Sequence, residues 1–139
     1  MMGTEKSRAI PYEVLANALF ENYESIYDID LETSGYSVYY ESDPYRSLDL
    51  TRSGDDFFAA LDDEVNQVIA PEDRGYVLHM LSKKVLEGGV RAEKYHSLVY
   101  RISRDGRQVY HQLRATLAQV DGRDHVLMGV RDVDAILRQ

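Results

Sequence analysis

The chain has 139 residues and a formal charge of −8, from 24 acidic and 16 basic side chains; that length suits one domain burying roughly two thirds of its unfolded surface. Scattered basic residues on an acidic chain exclude a phosphate-backbone reader, so no nucleic-acid partner is expected. The absence of cysteine removes disulfides and thiolate metal sites and fits a reducing compartment, and no apolar run approaches the ~18 residues that membrane insertion needs.

Met1 to Arg8 is polar and lacks the apolar stretch of a signal peptide, so residues 1–10 read as a flexible lead. From Pro11, suited to a first helical turn, to Glu24, the residues Leu15, Leu19 and Tyr23 recur every four positions with Phe20 beside them. This predicts an amphipathic helix whose stripe must be covered. Tyr27, Ile29 and Leu31 then alternate as a strand does, Glu32 to Gly35 is a turn cluster, and Tyr36 to Tyr40 is β-branched and aromatic again. The pair reads as a hairpin. Asp43-Pro44 ends it, and residues 45–54 read as a polar loop.

Ser53-Gly54-Asp55-Asp56 has the spacing of a capping box with Ser53 as the cap. Phe57, Leu61, Val65 and Val68 follow at helical spacing, in one helix or two short ones. Pro71 restarts the chain, with Glu72 and Asp73 at the favourable end of the helix dipole. Val77, Leu78, Leu81 and Val85 form that helix's buried stripe, and Gly88-Gly89 is expected to stop it. Tyr95–Ser103, Gln108–Val120 and His125–Val133 are strand-like, joined by turns containing Asp105-Gly106 and Asp121-Gly122. Asp-Gly supplies the positive φ that tight hairpins require, so the chain ends in a three-stranded meander. One domain therefore occupies residues 11–134, and residues 135–139 read as the start of a C-terminal linker.

Helix, two strands, helices, three strands: this order predicts an α+β fold in which a five-stranded antiparallel sheet, with helices over one face, buries every stripe. Ile69-Ala70-Pro71-Glu72-Asp73-Arg74 resembles the hydrophobic–x–Pro–Glu–Asp stretch that opens the long helix of many PAS domains. Tyr100-Arg101-Ile102-Ser103-Arg104-Asp105-Gly106 is similar to their YR-x-x-x-DG hairpin. Gly129-Val130-Arg131-Asp132-Val133-Asp134 sits where they end in Gly-x-x-Asp-x-Thr, with Asp134 in the place of the threonine. The resemblance runs from about Tyr12 to Asp134. It implies a sensory module of the kind that precedes GGDEF (diguanylate cyclase) or histidine kinase domains in bacterial cytoplasmic proteins. Its signal would leave through Asp132 and Asp134 to a C-terminal output domain. The resemblance also implies a homodimer in which Leu15, Leu19, Phe20 and Tyr23 pair with their copies; the same stripe could instead fold back on its own sheet.

In the PAS arrangement a ligand pocket lies between sheet and helices. The candidate lining residues are Tyr27, Ile29, Phe58, Leu61, Val77, Leu81, Tyr100, Leu113 and Met128. Each would serve a closed core equally well, and apolar residues on both strand faces leave the inward face open. No cofactor is predicted, although an unidentified small molecule would fit the family. Haem ligation by His79, which lies on the helix that carries the haem ligand in some PAS domains, is disfavoured: it falls roughly 145° from the centre of the helix stripe. His96, His111 and His125 stand on separate strands without chelate spacing, and no metal site is expected. A flavin of the LOV type needs the cysteine that the chain lacks. The acidic runs Asp55-Asp56, Asp62-Asp63-Glu64 and Glu72-Asp73 suit helix starts and polar faces. No nucleophile elbow, phosphate loop or His-Glu-x-x-His occurs, so no enzyme activity is expected. A ligand-binding sensor and a ligand-free dimerisation and spacing domain are the leading readings; a small α+β enzyme would need an acid–base pair that the sequence does not offer.

Overall fold

Two Asp-Gly turns organise the C-terminal half of the chain. In the computed structural model, which describes residues 22–139, Asp105 and Gly106 have φ of 51° and 76°, and Asp121 and Gly122 have 51° and 77°. Positive φ at both central residues matches the twist of two-residue hairpins. The turns join β4 (His96–Arg104), β5 (Arg107–Val120) and β6 (Arg123–Asp132). These strands pair antiparallel from Arg104↔Arg107 to His96↔Ala115 and from Val120↔Arg123 to His111↔Asp132.

The N-terminal hairpin is β1 (Ser25–Asp30) and β2 (Tyr36–Glu41). Its turn is held by the Asp30 carboxylate, which accepts from the backbone N–H groups of Glu32 and Thr33 at 2.8 and 3.2 Å. β1 also pairs antiparallel with β6, from Ser25↔Val130 to Asp30↔His125. A two-residue strand β3 (Ser53–Gly54) extends the expected five strands at one edge, giving the order β3-β2-β1-β6-β5-β4.

The helices depart from the sequence reading in three places. Residues 45–54 are not all polar loop: Ser42 caps a helical turn, α1 (Asp43–Arg46), and Tyr45 and Leu50 are buried. α2 (Phe57–Val68) is one helix, and its cap is Asp56 rather than Ser53, with the Asp56 carboxylate accepting from the N–H groups of Phe58 and Ala59. The helix expected from Pro71 to Gly88 is two. A 3-10 turn (Pro71–Asp73) leads into α3 (Arg74–Met80), and Ser82 then starts α4 (Lys83–Ala92) by accepting from the Val85 N–H. Gly88-Gly89 does not stop α4. Gly89 instead lets a histidine in close: a Cβ there would lie 2.2 Å from Nδ1 of His96. A last turn, α5 (Asp134–Leu137), follows β6.

All four helices α1–α4 contribute to one core against a single sheet face. Phe57, Leu61, Val65 and Val68 of α2, Val77 of α3 and Leu86 and Val90 of α4 meet Tyr27 and Ile29, Leu98, Tyr100 and Ile102, Leu113, and Val126, Met128 and Val130. This settles which strand face points inward. Asn22 to Glu24, which lead into β1, are not helical. The predicted N-terminal helix, with Leu15, Leu19 and Phe20, otherwise lies outside the described residues; Tyr23 lies against Gly129, where a Cβ would meet the ring at 2.6 Å. Among the described residues no helix is long and apolar enough to cross a membrane.

Candidate functional site

Between the helices and the sheet lies a cavity of about 40 Å³. Helical periodicity brings Phe57, Leu61, Val65 and Val68 to it from α2; Val77 and Leu81 come from α3 and its cap, and Tyr27, Tyr100, Leu113, Met128 and Val130 from alternate positions of β1, β4, β5 and β6. Tyr45, Leu50, Ile69 and Glu64 complete the wall. Of the nine residues named from the sequence, Ile29 and Phe58 do not reach it. Ile29 is fully buried in the core, and Phe58 is half-buried, edge-on to Phe57 with the Lys83 ammonium 5.9 Å from its ring.

The polar groups of this wall are few and all carry oxygen. Burial pushes the hydroxyls of Tyr27, Tyr45 and Tyr100 well above the ordinary phenol range. Glu64 is the unusual member. Its Oε1 is buried and has no hydrogen-bond partner among the described residues. Burial, and secondarily the charge of Glu41, push its carboxyl up from 4.5 to about 7. Glu41 itself is ion-paired with Arg52 at 2.6 Å, so Arg52 is committed elsewhere. Sequence reasoning assigned Glu64 to an acidic run on a polar face. Helical spacing sets Glu64 beside Leu61 and Val65 of the buried stripe but carries no sign of whether its carboxylate finds a partner.

A second polar cluster lies where β6 leaves the sheet. His111 of β5 is fully buried; its Nε2 is 3.0 Å from Glu24 Oε1 and its Nδ1 3.0 Å from the Val109 carbonyl. Arg104 donates to the same Glu24 oxygen at 2.8 Å, and the Arg104 Nε is buried without a partner. Burial pushes Glu24 up, but hydrogen bonds from His111 and Arg104, with their charges, outweigh it and hold the carboxyl at about 2. Donor atoms of Glu24, His111 and Asp132 come within 4.8 Å of one another. The Arg104 guanidinium already occupies the Glu24 oxygen that a cation would use, so the donor set does not fit a metal.

The exit itself is fixed by aspartates. Asp132 accepts from the Asp134 N–H at 2.8 Å, and the Asp134 carboxylate accepts from the Tyr110 N–H at 3.0 Å and from Arg138 at 2.8 Å. The Tyr110 N–H foremost holds Asp134 below the usual carboxylate range. Farther from the exit, two sequence motifs meet: Arg101 grips Asp73 with two side-chain bonds of 2.8 and 2.9 Å, and its backbone N–H adds a third at 2.8 Å. Of the other histidines, His79 is exposed, His96 is bound to the Met80 carbonyl at 2.7 Å, and His125 to Asp28 at 2.6 Å.

No family model matches the chain, and no curated protein is similar to it in sequence. Solved structures are similar in fold. A sensory box histidine kinase/response regulator from Burkholderia thailandensis E264 is 19% identical, with 89% of this chain and 87% of that chain covered, at a TM-score of 0.50. The N-terminal domain of a diguanylate cyclase with PAS/PAC sensor from Marinobacter aquaeolei is 17% identical, with 81% and 97% covered, at a TM-score of 0.52. The chain has the PAS fold.

Proposed function

We propose that this chain is the sensory module of a longer signalling protein, taking a small molecule in its cavity and passing the change along β6 to an output domain on its C-terminal side. One observation carries the reading: the cavity wall includes Met128 and Val130, and the same strand ends at Asp132 beside Glu24 and His111. A ligand that fits one arrangement of that wall better than another would bias the exit by its difference in affinity for the two. The likeness to PAS domains of a histidine kinase and a diguanylate cyclase supports the signalling part. In this reading the module works in a bacterial cytoplasm as a homodimer and catalyses nothing itself. The test is made in the full-length protein: removing residues 11–134 should alter output or its regulation, and unchanged output with unchanged regulation would end the proposal.

A ligand-free dimerisation and spacing domain is favoured by a separate observation. On the outer sheet face Val99 and Leu127 are exposed at 41% and 38%, and Tyr95, just before β4, at 43%. Native mass spectrometry of freshly purified protein separates the two readings. Extra mass per subunit, absent from the denatured spectrum, supports the sensor; a bare dimer supports the spacer.

A further inference from the structure

The cavity has one polar demand that the protein leaves unmet. Its walls are otherwise apolar or phenolic, and among the described residues no lysine, arginine, histidine or amide side chain lines it, so none of them would hold an anion there. Glu64 lines this space, and its buried Oε1 has no donor among the described residues. A buried carboxylate oxygen without a partner is costly, and the cost is relieved by a proton or by an N–H brought in from outside. The aromatic residues Tyr27, Phe57 and Tyr100 line the same space, and aromatic rings attract a cation placed over their faces. We propose that the site takes a small primary ammonium compound of about three non-hydrogen atoms, its nitrogen donating to Glu64 and its carbon chain lying among Leu61, Val65 and Met128. The size follows from the volume: about 40 Å³ is room for roughly three water-sized groups.

This inference rests on the reading of the cavity as a binding site, and it adds a sign of charge. Acetate should be rejected, because a second carboxylate would face Glu64 with no cation to share. A purely apolar probe should enter but gain nothing from Glu64. Burial and Glu41 hold the Glu64 carboxyl at about 7, so ammonium binding should be strong at pH 8 and fade as Glu64 takes up a proton below pH 7.

The test is a methyl NMR titration of the whole chain at pH 8 and constant ionic strength, with three probes: ethylammonium chloride, sodium acetate and xenon. The inference expects saturable shifts at Val65, Leu113 and Met128 with ethylammonium, at least tenfold weaker binding in Glu64→Gln, and no saturation with acetate. Xenon should bind wild type and variant alike, which also reports that the variant is folded with its cavity intact. If xenon binds but ethylammonium does not, or binds wild type and Glu64→Gln equally, the ammonium inference is overturned and the cavity remains a binding site. Acetate binding more tightly than ethylammonium overturns it too. If neither xenon nor ethylammonium enters wild type, the binding-site reading fails and takes this inference with it.

Discussion

Replacing Glu24 by glutamine should make the stability of this protein less dependent on acid. In the folded chain Glu24 ionises at about 2 rather than 4.5, because bonds and charge from His111 and Arg104 outweigh the burial that pushes it up. At 1.36 kcal/mol per pH unit, that displacement corresponds to about 3 kcal/mol of stability. Its folded value is depressed, so the contribution is complete above the unfolded value of 4.5 and is lost as pH falls through about 2. Glutamine keeps one acceptor oxygen but never ionises. At pH 7 the Glu24→Gln variant should therefore be about 2–3 kcal/mol less stable than wild type, and more than half of that gap should have closed by pH 3. Urea denaturation followed by circular dichroism at pH 3, 4, 5.5 and 7 measures the gap directly. A gap that stays constant across this range would mean that shape, not charge, is what Glu24 contributes, and the argument would be refuted.

Glu64 should behave with the opposite sign. Its folded value is raised to about 7, so the folded state holds a proton that the unfolded state releases, and stability falls as pH rises from about 4.5 through 7. Glu64→Gln should stabilise the protein by about 2–3 kcal/mol at pH 8 and by about 1 kcal/mol at pH 5; equal stability at pH 8 would contradict the unpaired carboxylate. Gly88 and Gly89 form a matched pair in α4. Gly88→Ala meets nothing within 4 Å and should gain about 0.5–1 kcal/mol. Gly89→Ala would drive a methyl into His96, and it should lose about 1–3 kcal/mol by urea denaturation despite the same helix preference. Arg101→Ala removes two side-chain bonds to Asp73 and should cost about 1–2 kcal/mol. Asp73→Asn should cost less, since one oxygen can still receive the Arg101 N–H.

What could be read in the sequence was local. Asp-Gly fixed both C-terminal turns because only a narrow backbone geometry satisfies those residues at a two-residue joint. The α2 stripe was legible because its period matches one helix turn. Boundaries that depend on competition between neighbours were not. Ser53 has the capping-box spacing, with Asp56 three residues on, yet it pairs in β3 and leaves the cap to Asp56, while Ser82, followed by Val85, starts a helix without that signature. Gly88-Gly89 reads as a stop, but its meaning lies 7 residues from Gly89 to His96, in a contact only the tertiary structure makes. The cavity's apolar wall was partly legible and its polar member was not, because periodicity locates a buried stripe without revealing whether a carboxylate beside it finds a partner. Glu24, Arg104, His111 and Asp132 come from four separated segments, and no spacing rule joins them.

The pairing of β1 with β6 has a mechanical consequence. Ser25 stands opposite Val130, and the Glu24 N–H reaches the Val130 carbonyl at 2.7 Å, so the chain enters and leaves the sheet at the same end of one antiparallel pair. Tension between the two flanks would load the rungs one after another from that end, as a zipper is opened, instead of shearing all of them together. The first rung is the one clasped by Arg104 and His111 through Glu24. A pull or twist arriving from either flank would therefore be felt there first, at low force, while β2, β4 and the helices beyond stay assembled.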